Sequence, residues 1–164
     1  MASTYEPIAT TTLGTATASV TFSTISGSYT DLILVCNFGT SQGSNDGLMF
    51  RVNGDTASNY SLTRLTGDGS SASSNRQTSS TSIIVGGVSG VDTTTVTIYQ
   101  LMSYSNTTTY KTILARNNHP ASLLNAGVGL WRDTSAVTSI TVLPENAATL
   151  RADSTFTLYG IASA

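Results

Sequence analysis

Thr93-Thr94-Thr95-Val96-Thr97-Ile98-Tyr99-Gln100-Leu101-Met102-Ser103-Tyr104 changes character at every second residue. Val96, Ile98, Gln100 and Met102 oppose Thr95, Thr97, Tyr99, Leu101 and Ser103. A period of two belongs to an extended strand, whose successive side chains point to opposite faces. The Thr-rich set reads as a wet face, and its Tyr and Leu predict that this face is partly covered. Thr15 to Ile25 and Val137 to Leu143 repeat the alternation, with Gly, Asn and Asp clusters between the runs. Ser and Thr make up nearly a third of the chain. This is the pattern of an all-β domain.

Working outward, Asp31 to Phe38 is apolar at nearly every position. That predicts a central strand covered on both sides, one cover being a neighbouring subunit. Leu48 to Val52 ends in Asn53-Gly54-Asp55, a tight-turn signal, so Tyr60 to Leu65 is expected to return as its hairpin partner. Gly67 to Ser82 holds no large apolar residue and reads as a long surface loop. Ile83 to Val85 is a short strand. Tyr110 to Ala115 is expected to pair with the quoted run, and Arg116 to Pro120 to open a second exposed loop. Val128 to Trp131, Val137 to Leu143 and Thr155 to Ile161 bring the total to about ten short strands, which at this size fits an antiparallel β-sandwich of jelly-roll type. No convincing helical period occurs, although Ala121 to Ala126 or Asn146 to Leu150 could form one turn. Residues 1–12, interrupted by Pro7, read as an N-terminal arm lying on another surface, and 13–164 as a single domain.

The chain has 164 residues, of which 39% are hydrophobic, enough for one domain with a real core. Only 10% are charged, against roughly 25% in ordinary soluble domains. The net charge of −2 and scattered arginines give no footprint for nucleic acid or an anionic membrane. No apolar run approaches the roughly 20 residues of a membrane helix. Cys36 lies in the apolar run and reads as a buried thiol. Met1 to Glu6 lacks the basic and apolar segments of a secretory signal. A hydroxyl-dressed surface without such a signal fits a virion component made in the host cytoplasm and released by lysis.

Reactive constellations are scarce. His119 stands in an amide-rich stretch without a nucleophile motif, and reads as a solvated loop residue. Glycoside hydrolysis needs two carboxylates flanking one bond, but Glu6 lies in the terminal arm and Glu145 follows Pro144 at a strand end. Most Asp residues occupy turn positions. The sequence therefore predicts no enzyme, no cofactor and no metal. Asn45, Asp46, Asp68 and Asn75 have calcium-ligand chemistry, but no calcium-loop motif surrounds them and turn roles explain them. Exposed aromatics could stack on sugar rings. Tyr60, Tyr104 and Tyr110 are the candidate sugar or partner contacts, Tyr104 in particular reading as wet. Trp131, beside Gly127 and Gly129, reads as a plug in a core or interface.

Five segments carry a resemblance. They are Ser3-Thr4-Tyr5-Glu6-Pro7-Ile8-Ala9-Thr10-Thr11-Thr12-Leu13-Gly14, Ser28-Tyr29-Thr30-Asp31-Leu32, and Arg51-Val52-Asn53-Gly54-Asp55 with Asn59-Tyr60-Ser61. Gly129-Leu130-Trp131-Arg132 with Ala136-Val137-Thr138-Ser139-Ile140, and the ending Thr157-Leu158-Tyr159-Gly160-Ile161, complete the set. Together they resemble small β-rich structural proteins of tailed bacteriophages, over essentially the whole chain. The resemblance implies a virion protein of jelly-roll type without catalytic residues, either a capsid decoration or cement protein or a fibre head. The chain lacks the heptads and β-helical repeats with which fibres trimerise, which favours decoration. The expected partner is then the major capsid protein, bound by a homotrimer, with Tyr5, Pro7 and Ile8 as candidate capsid contacts. The alternative is a carbohydrate- or receptor-binding module of a head or tail fibre, whose partner is a surface glycan.

Overall fold

The computed structural model describes residues 4–42, 46–88, 94–119 and 123–162. Among them the chain is all-β. Twelve strands follow in order: β1 (Tyr5–Thr12), β2 (Val20–Phe22), β3 (Asp31–Phe38), β4 (Asp46–Val52), β5 (Tyr60–Gly67), β6 (Ala72–Ser80), β7 (Gly87–Val88), β8 (Thr95–Leu101), β9 (Lys111–His119), β10 (Leu123–Trp131), β11 (Ile140–Pro144) and β12 (Thr155–Ile161). Eight form one sheet in the order β1-β12-β3-β8-β9-β10-β5-β6, and four form a second in the order β2-β11-β4-β7. Every pairing is antiparallel. With β9, β10, β5 and β6 set aside, β1-β12-β3-β8 faces β2-β11-β4-β7. The inserted hairpin strands lengthen only the large sheet.

The two sheets meet through Leu32, Leu34, Cys36 and Phe38 of β3 and Phe156 and Leu158 of β12 on one side. Phe50 and Val52 of β4, Val20 and Phe22 of β2, and Ile140 and Val142 of β11 lie on the other. Phe50 stacks on Tyr99 across the interface with ring centroids 4.5 Å apart, and the Tyr99 hydroxyl donates to the Leu48 carbonyl at 2.9 Å. Beyond the small sheet, the segment after β6 supplies the second layer. Ile83 bridges to Phe50, and Ile83 and Val85 are fully buried. Gly129 and Gly127 make room for them: a Cβ on Gly129 would lie 2.5 Å from Ile83 Cδ1, and one on Gly127 3.0 Å from Val85 Cγ2. Trp131 is buried as the neighbouring plug.

Several expectations need correction. In β8 the face turned inward is Thr95, Thr97, Tyr99 and Leu101, all buried, while Val96 is exposed and Ile98 and Gln100 are partly so. The bulk of Tyr99 and Leu101 decides the facing, and the Thr97 hydroxyl is accommodated by accepting from Asn117 Nδ2 at 2.8 Å. In β3, Leu32, Leu34, Cys36 and Phe38 are buried but Ile33 and Val35 are only half-covered. Residues 5–12 are not an arm on another surface; they form edge strand β1 against β12. Pro7 is tolerated there because an edge strand need not donate on its free side, and the ladder shifts register between Pro7 and Ala9.

Asn53 (φ 52°) and Gly54 (φ 66°) do form a tight turn, closed by the Asp55 N–H donating to the Val52 carbonyl at 2.9 Å. The strand that follows nevertheless leaves β4 and joins the other sheet, where β5 pairs with β10 and β6. Gly67 to Ser82 contains strand β6 rather than one long loop. An edge strand needs only backbone partners, so the absence of apolar side chains did not reveal it. Arg116 to His119 continue β9 instead of opening a loop. The strand in Thr15 to Ile25 shortens to β2, and neither suggested helical turn forms among the described residues; Ala121 and Ser122 lie outside them.

Candidate functional site

The outer face of the large sheet can be built residue by residue from the register. One row runs Tyr159, Ile33, Gln100, Leu114, Val128, Thr63 and ends at Arg76. The next runs Thr157, Val35, Ile98, Arg116, Ala126, Leu65 and ends at Ser74. A third places Val96 beside Asn118 and Leu124. Directly opposed residues on neighbouring strands share a face, so these rows are a continuous surface. Leu65 (63% exposed), Leu124 (62%), Val128 (53%) and Leu114 (42%) stand open on it.

The rows curve into a groove of about 520 Å³, with Ile33, Ile98, Leu65 and Val128 among its walls, Arg116 within it and Tyr5 at one end. No Asp or Glu occurs in the three rows. Arg116 and Arg76 are their only charged side chains, both exposed, and neither has an acidic partner among the described residues. Isolated exposed apolar residues are ordinary, but a contiguous apolar surface on a monomer marks an interaction site.

The six residues singled out from the sequence divide. Tyr5 is exposed and lies opposite Ile161, and Pro7 is exposed opposite Tyr159. Both therefore border this outer face. Ile8 instead packs against the core. Tyr60 and Tyr104 are fully buried and cannot stack on a sugar. The Tyr60 hydroxyl accepts from the Val52 N–H at 3.1 Å, and burial pushes its phenol up to about 12. The Tyr104 hydroxyl donates to the Ser26 carbonyl and accepts from the Tyr29 N–H; burial raises its pKa as well. Both tyrosines close loops over the core. Tyr110 alone of the three is open, at 53% exposure.

The residues weighed for chemistry are dispersed. His119 is buried on the inward face of β9, correcting the solvated-loop reading. Asp46 is fully buried, with Oδ1 accepting from the Glu145 and Asn146 N–H groups, each at 3.1 Å. Asp68 caps its own turn; N–H groups of Ser71 and Ser70, with their hydroxyls, hold its carboxyl far below the usual range. Asn75 lies on β6, and Asn45 falls outside the described residues. Among the described residues no three His, Cys, Asp or Glu side chains come together as a metal site.

Cys36 is buried, and burial drives its thiol pKa well up. Lys111 is buried with Nζ donating to the Thr109 and Thr134 carbonyls at 2.8 and 3.1 Å. Burial lowers its pKa, with Asp133 pulling the other way. Among the described residues no helix is long and apolar enough to cross a membrane. No protein-family model matches the chain, and no curated protein is significantly similar to it.

The sequence signal for the outer face was present in the quoted run. Val96 and Ile98 share one side of β8, but alternation alone does not say which side faces a core. Leu114, Leu124 and Val128 gave no signal singly, because only the register places them side by side.

Proposed function

We propose that this chain is a structural protein of a phage virion, a capsid decoration protein that binds the assembled shell and cements it. The observation that carries this reading is the apolar outer face of the large sheet, open from Leu114 through Val128 to Leu65. A fold whose hydroxyls and amides are partly turned inward, as at Thr97, Asn117 and Asn125, while aliphatic side chains stand outside, is suited to adhesion. The strand order β1-β12-β3-β8 over β2-β11-β4-β7 supports the jelly-roll type, a double-sheet roll with short edges. Cementing then follows from linkage. Whatever binds only the assembled state stabilises it, by an amount that grows with occupancy. A homotrimer over shell junctions would bury three copies of the face at once and gain from multivalency.

The glycan-binding alternative loses two of its three aromatic contacts, since Tyr60 and Tyr104 are interior. The test is the copy number and position of this protein in purified virions, by quantitative mass spectrometry and electron microscopy. Hundreds of copies spread over the head are expected. A few copies confined to a tail or fibre tip would replace the reading with the alternative.

A further inference from the structure

We propose that the outer-face groove receives a strip of a different protein chain that is apolar and carries carboxylates, one of them pairing with Arg116. This rests on the decoration reading, in which the strip belongs to the shell subunit. The charge pattern selects the partner. The chain as a whole is acidic, with a net charge of −2, yet the three rows around the groove hold two arginines and no acid, Asp31 standing one row away beside Ile161. Arg116 stands between Ile98 and Ala126 in its row, so a docked surface would cover it on apolar ground. A covered guanidinium needs a carboxylate, which it can grip with two parallel hydrogen bonds. A second copy docked face to face offers only Asp31, in that next row beside Ile161, and the Asp31 Oδ1 already accepts from the Ser103 N–H at 2.7 Å. Nucleic acid would require many more basic groups than two.

The experiment uses phage heads assembled from a genome lacking this gene and refilled with purified protein, bound protein being read by sedimentation. Wild type, Arg116→Glu, Arg116→Lys and a Leu114→Ser/Val128→Thr double variant are compared. Thr21→Glu, on the exposed outer side of β2, serves as a charge control, and thermal unfolding confirms that each variant folds. Wild type and Thr21→Glu should fill the heads alike, whereas Arg116→Glu and the double variant should bind about tenfold more weakly or worse. Arg116→Lys should fall between, because an ammonium keeps the charge and loses the fork. Equal filling by wild type, Arg116→Glu and the double variant would overturn the groove and leave the decoration reading standing. Heads that take up no wild-type protein would overturn both. Wild type that binds phosphatidylglycerol vesicles, or itself, through the same residues in place of heads would overturn the assigned partner.

Discussion

At the scale of single residues, the Trp131 indole donates to Asp55 Oδ2 at 2.7 Å, and Asn59 Nδ2 donates to the same oxygen at 2.9 Å. Burial pushes the Asp55 carboxyl up, but the bonds from Trp131, Asn59 and the Ala57 N–H together outweigh it and the carboxyl titrates below its usual value. A depressed folded-state pKa contributes stability above the unfolded pKa, near 4, that is lost as pH falls through the folded value. Trp131→Phe should therefore cost about 1–2 kcal/mol near neutrality, after allowance for the half-open site. Its deficit against wild type should narrow in urea titrations as pH drops below about 4; a constant deficit would remove the carboxylate from the explanation. Gly160 shows the opposite constraint. A Cβ there would lie 2.3 Å from Tyr29 Cγ, so Gly160→Ala should destabilise by about 1–3 kcal/mol through overpacking. An unchanged melting curve would mean that Tyr29 moves aside freely.

At the scale of elements, legibility depended on how much of a strand's identity lay in its own side chains. β12 and β3 were readable because alternate residues face a core, and Asn53-Gly54 because its two positive φ angles demand those residue types. β6 was not, because a polar edge strand is defined by backbone bonds to β5 alone. The return of β5 to the wrong partner had a similar origin: the local turn was right, but which sheet receives the next strand is a long-range choice. These differences predict dynamics. β6 is exposed along most of its length and paired on one side, whereas β3 is enclosed between β12 and β8. Backbone amides of β6 should exchange with solvent orders of magnitude faster than those of Leu34 and Cys36. Equal protection in the two strands would show that β6 opens only with the whole domain. Gly54→Ala tests the turn itself. A side chain at φ 66° should cost about 1 kcal/mol in chemical denaturation without changing the fold.

For the molecule as a whole, the facing of β8 separates what holds the sandwich together from what is left for a partner. The inward residues of this strand are Thr95, Thr97, Tyr99 and Leu101, and Tyr99 meets Phe50 of the opposite sheet. The outward residues join Leu114 and Val128 in a surface that the fold itself does not use. If the two faces divide the labour in this way, stability and binding respond to different substitutions. Phe50→Ala would open a cavity at a fully buried position and should cost about 3–5 kcal/mol. Leu114→Ser and Val128→Thr replace exposed side chains and should each stay within about 0.5 kcal/mol of wild type, Thr keeping the branched shape that suits a strand. Denaturant unfolding of the three variants settles the matter. A large loss from Leu114→Ser or Val128→Thr would mean that the outer face is structural, because an interaction surface must be expendable to the monomer that carries it.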